Sequence, residues 1–260
     1  MIHIDVISYQ EWSNKSQSIK NANLYPSQHT IEEHMKEILP NIFTFKGLML
    51  GRVYAIKDHD GLTLIDTGMP GVEKKVIQQL EQGGYTPSDV KRIFITHAHF
   101  DHLGSLPQLQ AITGAEVYVH PIDKPVVEGK EFVVRRPKGL RFPETKVPPT
   151  PVHHTYENGD IMPVLGGLHV IHTPGHSPGH VVFWQPERKI LFTADLIFRM
   201  FNYMTLPWGI FTVDDDSNKQ QIKRVLSMIE PDALLFGHGD PILTGANAKL
   251  VAFAKRNSII

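Results

Sequence analysis

Apolar residues in this chain come mostly in short runs bounded by turn residues, a pattern of strands rather than long helices. Residues 42–45, 53–56 and 62–65 read as strands, with Asp58-His59-Asp60-Gly61 joining the last two as a hairpin. Residues 91–96, 116–119, 168–171, 189–192 and 233–236 have the same character. Between these runs the period changes. In 71–82, Val72, Val76, Ile77 and Leu80 form one stripe and Gly83-Gly84 ends it, which predicts an amphipathic helix. Further helices are predicted near 106–112, over 216–230 with Pro231 as the stop, and over 246–256. The polar first part suggests short helices at 11–20 and 31–39, the second ended by Pro40. Strand-rich halves alternating with helices predict an α/β (α+β) chain in which two sheets pack between helices, a four-layer αββα sandwich. We divide the chain into an N-terminal extension, 1–40, serving as arm or cap, and a main domain, 41–260.

Composition narrows the picture. At 260 residues the chain can bury a large core without covalent staples. It has no Cys, so disulfides are excluded. A net charge of -1 offers no global basic field, and nucleic acid is not expected as a partner. Met1-Ile2-His3-Ile4-Asp5 lacks the basic start and apolar core of a secretory leader, and no apolar run reaches the ~20 residues of a membrane span. These readings predict a soluble cytoplasmic protein with no membrane partner.

The chemistry concentrates in Thr96-His97-Ala98-His99-Phe100-Asp101-His102. In an extended segment His97, His99 and Asp101 share one face, and a turn at Leu103-Gly104-Ser105 would bring His102 round. Neutral imidazole and carboxylate are ligands of Zn²⁺ and of other first-row metals. Three more metal-capable segments follow, each at the end of an apolar run: Thr173-Pro174-Gly175-His176-Ser177-Pro178-Gly179-His180, Thr193-Ala194-Asp195-Leu196 and Phe236-Gly237-His238-Gly239. Strand ends are where α/β folds carry their chemistry.

Taken in order, these motifs, with Leu62-Thr63-Leu64-Ile65-Asp66-Thr67-Gly68 before them, resemble the metallo-β-lactamase superfamily over about residues 41–240. Within it the chain is similar to the dinuclear branch of glyoxalase II, the acyl-homoserine-lactone lactonases and ribonuclease Z. The resemblance implies the αββα fold, a catalytic domain over 41–260 and two Zn²⁺ per chain, with Fe, Mn or Co as alternatives. It implies that His97, His99 and His176 hold one ion, that Asp101, His102 and His238 hold the other, and that Asp195 bridges them. Asp66 would hydrogen-bond a ligand histidine and fix its tautomer. His180, separated from His176 by Pro178-Gly179, is expected to bond locally instead. His153, His154, His169 and His172 belong to no motif and are left unassigned.

The implied activity is hydrolysis of a small ester, thioester or lactone by a hydroxide held between the ions, with Asp195 orienting it and Asp101 passing a proton to the leaving group. The alternatives are a persulfide dioxygenase using one iron and a ribonuclease Z-like phosphodiesterase. Only 22 residues follow His238, too few for the helical part that binds glutathione in glyoxalase II. The lactonases carry a tyrosine three residues after the bridging aspartate, where this chain has Phe198. The missing cysteine ligand, and His102 in place of the arginine common in true β-lactamases, point away from antibiotics.

Two stretches are expected to shape the pocket for a small-molecule substrate. Residues 129–151, with five prolines and with Arg135, Arg136, Lys138 and Arg141, read either as a solvated loop or as a lid drawing in an anionic substrate. Residues 197–211 supply Phe198, Phe201, Tyr203 and Trp208 as candidate lining, with an oligomer contact as the competing use.

Overall fold

The computed structural model describes residues 35–48 and 50–260. Its first sheet takes strands in chain order: β1 (Lys36–Leu39), β2 (Ile42–Thr44), β3 (Tyr54–Asp58), β4 (Gly61–Ile65), β5 (Val90–Phe94), β6 (Glu116–Val119) and β7 (His154–Thr155). The second is built from β8 (Ile161–Met162), β9 (Leu168–His172), β10 (Val181–Gln185), β11 (Ile190–Ala194) and β14 (Ala233–Phe236), ordered β14-β11-β10-β9-β8. A separate hairpin pairs β12 (Phe198–Met200) with β13 (Tyr203–Thr205). The helices are α1 (Glu73–Gln82), α2 (Phe100–Leu103), α3 (Leu106–Thr113), α4 (Lys124–Val127), α5 (Asp215–Met228) and α6 (Ala246–Arg256).

The short apolar runs are explained by burial on both faces. In β10, Val181 and Phe183 enter the core between the sheets, while Val182 and Trp184 face the core under α5 and α6. β11 and β14 alternate in the same way: Ile190, Phe192, Ala233 and Leu235 turn inward, and Leu191, Leu234 and Phe236 turn outward. In β3, Tyr54 and Ile56 join the inter-sheet core and Ala55 the core that α1 and α3 cover. Three apolar layers thus separate helix, sheet, sheet and helix, which is the αββα sandwich expected. A strand covered on both sides shows a continuous apolar run rather than alternation, because period 2 then divides two apolar surfaces.

Parallel pairs β4–β5, β5–β6 and β11–β14 need crossovers, and α1, α3 and α5 fall between their strands in sequence. Val76 and Leu80 of the α1 stripe are fully buried.

The structure departs from expectation at the start of the described chain. Residues 36–39, expected to be helical, form β1, paired antiparallel with β2 across a turn in which Asn41 has φ 62°. Ile38 and Leu39 pack on the inter-sheet core, so pairing outweighs local propensity there. The helix expected over 11–20, and the part of the other over 31–34, lie outside the described residues. Strands β7, β8, β10, β12 and β13 were not expected as such. Among the described residues no helix is long and apolar enough to cross a membrane.

Candidate metal centre

Five strands bring their C-terminal ends to one rim. β4 leads into Asp66, β5 into His97, β9 into the loop of His176, β11 into Asp195 and β14 into His238. Asp66 and Ala194, the residues that follow β4 and end β11, are non-glycine residues in the left-handed region, at φ 61° and 44°. Such a backbone costs about 1–3 kcal/mol and persists where its surroundings hold it. Here it turns the Asp66 and Asp195 carboxylates back over the sheet ends.

The cluster does not stay extended through Asp101, as the alternating reading had it. The strand ends at Phe94, the chain bends through residues 96–98, and His99, at φ -107° and ψ 154°, precedes the helical turn α2. Asp101 and His102 therefore project from a helical turn, and the bend lies before Leu103 rather than after it. The His102 carbonyl accepts from both the N–H and the hydroxyl of Thr67, at 2.6 and 2.8 Å, which fastens this turn to β4.

Two groups of side chains converge, His97 with His99 and His176, and Asp101 with His102, Asp195 and His238. In the first, His99 Nδ1 lies 3.1 Å from His97 Nε2 and 3.0 Å from His176 Nε2. The neighbouring hydroxyls set the tautomers. Thr96 donates its O–H to Asp66, so its oxygen accepts from His97 Nδ1–H at 3.0 Å. Thr212 donates to the Trp208 carbonyl and accepts from His176 Nδ1–H at 3.3 Å. Both Nε2 lone pairs are left facing His99 Nδ1, which carries at most one hydrogen and can donate to only one of them, whereas a cation among the three nitrogens would engage all three.

In the second group His238 Nε2 is 3.0 Å from Asp101 Oδ2. Asp195 faces every histidine but His99: its Oδ2 lies 3.3 Å from His176, 3.2 Å from His238 and 3.8 Å from His97, and its Oδ1 lies 3.2 Å from His102. His102 Nε2, His238 Nε2 and Asp195 Oδ1 are buried yet lack an aligned hydrogen bond among the described residues. Imidazole and carboxylate donors in this arrangement fit divalent metal ions. Gly237 leaves them room, since a Cβ there would lie 2.2 Å from Asp195 Oδ1.

The charges divide along the same line. Burial, with His102 and His99 nearby, holds His97 well below the usual imidazole range. Burial and His176 bring His99 down to about 3. Burial also opposes charge on the other side, but the acids outweigh it. Asp195, Asp66 and Asp101 lift His102 well above the usual range, and Asp195 and Asp101 lift His238 to about 9. Against burial, His102 and His238 hold Asp101 at about 2 and Asp195 well below the carboxylate range.

Asp66 accepts from Thr96 N–H at 2.8 Å and bonds His102 Nδ1 at 2.7 Å. His180 bonds locally: its Nε2 accepts from Asp195 N–H at 3.1 Å, which leaves Nδ1–H to donate to Thr173 Oγ1 at 2.8 Å.

Asp123 was not singled out, because the turn His120-Pro121-Ile122-Asp123 has no ligand spacing. It is buried, and it accepts from Ala98 N–H at 2.9 Å and from the Gly179 amide. One carboxylate thus ties the loop of His97 and His99 to the loop of His176. Burial pushes its carboxyl up to about 7. Unfolded aspartate titrates near 4, so folding takes up a proton between these values. The stability linked to this group is present below about pH 4 and is lost as pH rises through about 7. Asp123→Asn in metal-free protein is expected to cost about 1 kcal/mol at pH 5, where one N–H loses its acceptor. It should then gain on the wild type by up to ~1.4 kcal/mol per pH unit toward pH 7. Denaturant unfolding at pH 5, 6, 7 and 8 measures this, and parallel slopes for the two proteins would refute it.

A cavity of about 260 Å³ opens over both groups. Phe198 and Trp208 line it, with Phe142, Phe211, Val133 and Met69. Phe201 and Tyr203 do not line it. Phe201 and Asn202 both have positive φ, 47° and 68°, and form the two-residue turn of the β12–β13 hairpin. The turn carries Phe201 and Tyr203 outward, to 90% and 69% exposure. Nor does the basic group of 129–151 reach the cavity. Arg136 bonds Asp215 and the Gly209 carbonyl, both at 2.7 Å, Arg135 lies 3.7 Å from Glu144, and Arg141 donates to Pro137. The stretch contributes Val133 and Phe142 instead, with the Phe142 ring edge-on to His99.

Comparison with known proteins agrees with this geometry. Residues 47–238 match the profile of the metallo-beta-lactamase superfamily. The "probable metallo-hydrolase YflN" of Bacillus subtilis is 29% identical over 240 residues, covering 82% of this chain and 90% of its own. The hydroxyacylglutathione hydrolase GloC of Haemophilus influenzae is 30% identical over 144 residues, covering 55% of this chain and 64% of its own. The crystal structure of BJP-1, a subclass B3 metallo-beta-lactamase of Bradyrhizobium japonicum, superposes with a TM-score of 0.62 at 26% identity, covering 86% of this chain and 90% of that one.

Proposed function

The chain belongs to the metallo-beta-lactamase superfamily, and from that premise we propose that it hydrolyses a small ester, thioester or lactone with an apolar acyl arm, using two zinc ions. That it is a metal-dependent hydrolase follows from the family; the substrate class and the zinc pair are our reading. In it His97, His99 and His176 hold one ion, Asp101, His102 and His238 hold the other, and Asp195 bridges them. The observation that carries this is the position of Asp195, whose two oxygens face ligand candidates of both groups.

Bound there, divalent ions activate water near neutral pH and polarise a carbonyl. The chain's own residues do the rest. Asp66 orients His102, and Thr96 and Thr212 orient His97 and His176. The wall formed by Phe142, Phe198, Trp208 and Phe211 excludes water and seats an apolar arm. Asp101, an ionised carboxylate, stands beside His238 at the edge of the cavity, where it can take the proton that the attacking water loses and pass it to the departing oxygen or sulfur. Phe198 has no hydroxyl to donate.

Elemental analysis of untagged protein with a turnover panel tests the reading. The expected result is about two metals per chain and turnover of medium-chain thioesters, esters or lactones well above that of a phosphodiester. One iron per chain with O₂ uptake and no hydrolysis would refute it.

A further inference from the structure

A second cavity, about 680 Å³, adjoins the first. The two share Leu50, Met200 and His238, so a substrate lying across the metal centre passes from one into the other beside His238. Their chemistry is opposite. Among the described residues no lysine or arginine lines the first cavity. Among the described residues the second is lined by Lys36, Lys46, Arg52 and Arg199, against one carboxylate, Asp240.

The two arginines are built into this wall. Arg52 bonds Asp240 and the Gly239 carbonyl. Arg199 donates to the carbonyls of Asp240 and Pro241 at 2.9 and 3.0 Å, and its Nε is buried without a partner among the described residues. Gly239 is required here, because a Cβ on it would lie 1.6 Å from the Arg199 carbonyl. Lys36 and Lys46 are exposed on the same groove. Clefts lined by one sign of charge concentrate ligands of the other sign.

We propose that the substrate is two-sided: an apolar acyl arm lies in the aromatic cavity, and an anionic leaving group lies in the basic groove of Lys36, Lys46, Arg52 and Arg199. This rests on the ester or thioester hydrolysis proposed above. The orientation follows from Asp101, the proton carrier of that reading, which stands against His238 where the cavities meet. For a thioester, water oxygen bonds to the acyl carbon, the C–S bond breaks, and the thiolate leaves toward the groove and takes up a proton. The products are a carboxylic acid and an anionic thiol.

The test compares two thioesters with the same chain, S-hexanoyl mercaptoethanol and S-hexanoyl mercaptoethanesulfonate, followed by thiol release with the full-length metal-loaded protein. The expected kcat/KM is roughly ten-fold higher for the sulfonate, carried by KM, and the preference shrinks as salt is raised. In the variant Lys36→Glu with Lys46→Glu the ratio of kcat/KM for the sulfonate to that for the neutral thioester falls to one or below, while the thermal midpoint stays that of the wild type. Equal turnover of the two by the wild type, or a preference that survives in the variant, overturns the anionic leaving group and leaves the hydrolase reading standing. Hydrolysis of neither compound, nor of any ester or lactone, overturns both.

Discussion

Asp195→Ala is expected to lower hydrolysis by at least on the order of 10³ and to reduce bound metal from about two per chain to at most one, with the fold retained. The size of the effect follows from what one side chain touches. Its oxygens face His97, His102, His176 and His238 within 3.8 Å, and no other described carboxylate reaches both groups. The backbone supports should survive, because Asp195 N–H still donates to His180 and the β11–β14 ladder runs through main-chain atoms. His102 keeps Asp66 at 2.7 Å, so its charge is not left bare. His97→Ala is expected to behave alike, since its Nε2 faces both His99 and Asp195. Elemental analysis, circular dichroism and turnover on the same preparations decide it. Full turnover by either variant would remove Asp195 or His97 from the proposed centre.

The parts of this molecule that could be read in advance are those whose cause is local. The runs at 62–65, 168–171 and 233–236 are strands because both faces of each are buried, and their apolar composition records that directly. The α1 stripe was legible because period 3.6 survives a single buried face. The candidate ligands stood out because two histidines, an aspartate and a third histidine within six residues have few other uses. What could not be read depends on distant partners. Residues 36–39 have no strand signal of their own and become β1 by pairing with β2. Asp123 gains its place only when two loops fold over it. Tyr203 reads as a pocket aromatic until a two-residue turn with positive φ points it to solvent, and the same turn takes Phe201 away from the cavity over the metal centre to the edge of the basic groove. The cations of 129–151 look like a lure for anions until Asp215 and Glu144 take up Arg136 and Arg135, while the groove cations, spread from Lys36 to Arg199, carry no motif.

Metal uptake at the two halves of the centre should differ in pH dependence. Only neutral imidazole binds a metal, so any proton on a ligand competes with the ion. At His97 and His99 that competition is absent near neutral pH, because burial keeps His97 well below the usual range and holds His99 at about 3. In the other half, Asp195 and Asp101 hold a proton on His238 up to about 9, and Asp195, Asp66 and Asp101 hold one on His102 beyond the usual range. An ion that enters between Asp101, His102 and His238 must displace these protons. Its affinity is therefore expected to rise as pH rises from 6 to 8, by up to about ten-fold per pH unit for each proton released, and to level off for His238 above about 9. His97 and His99 add no such dependence, so the affinity of their half should change less over pH 6–8 than that of the other. Chelator competition with Zn²⁺ at pH 6, 7 and 8 resolves the two affinities, and calorimetry in buffers of different ionisation enthalpy counts the protons. A second affinity that is flat or falls with pH would mean that the carboxylates around His102 and His238 do not hold those protons, and the division of charge between the two halves would be wrong.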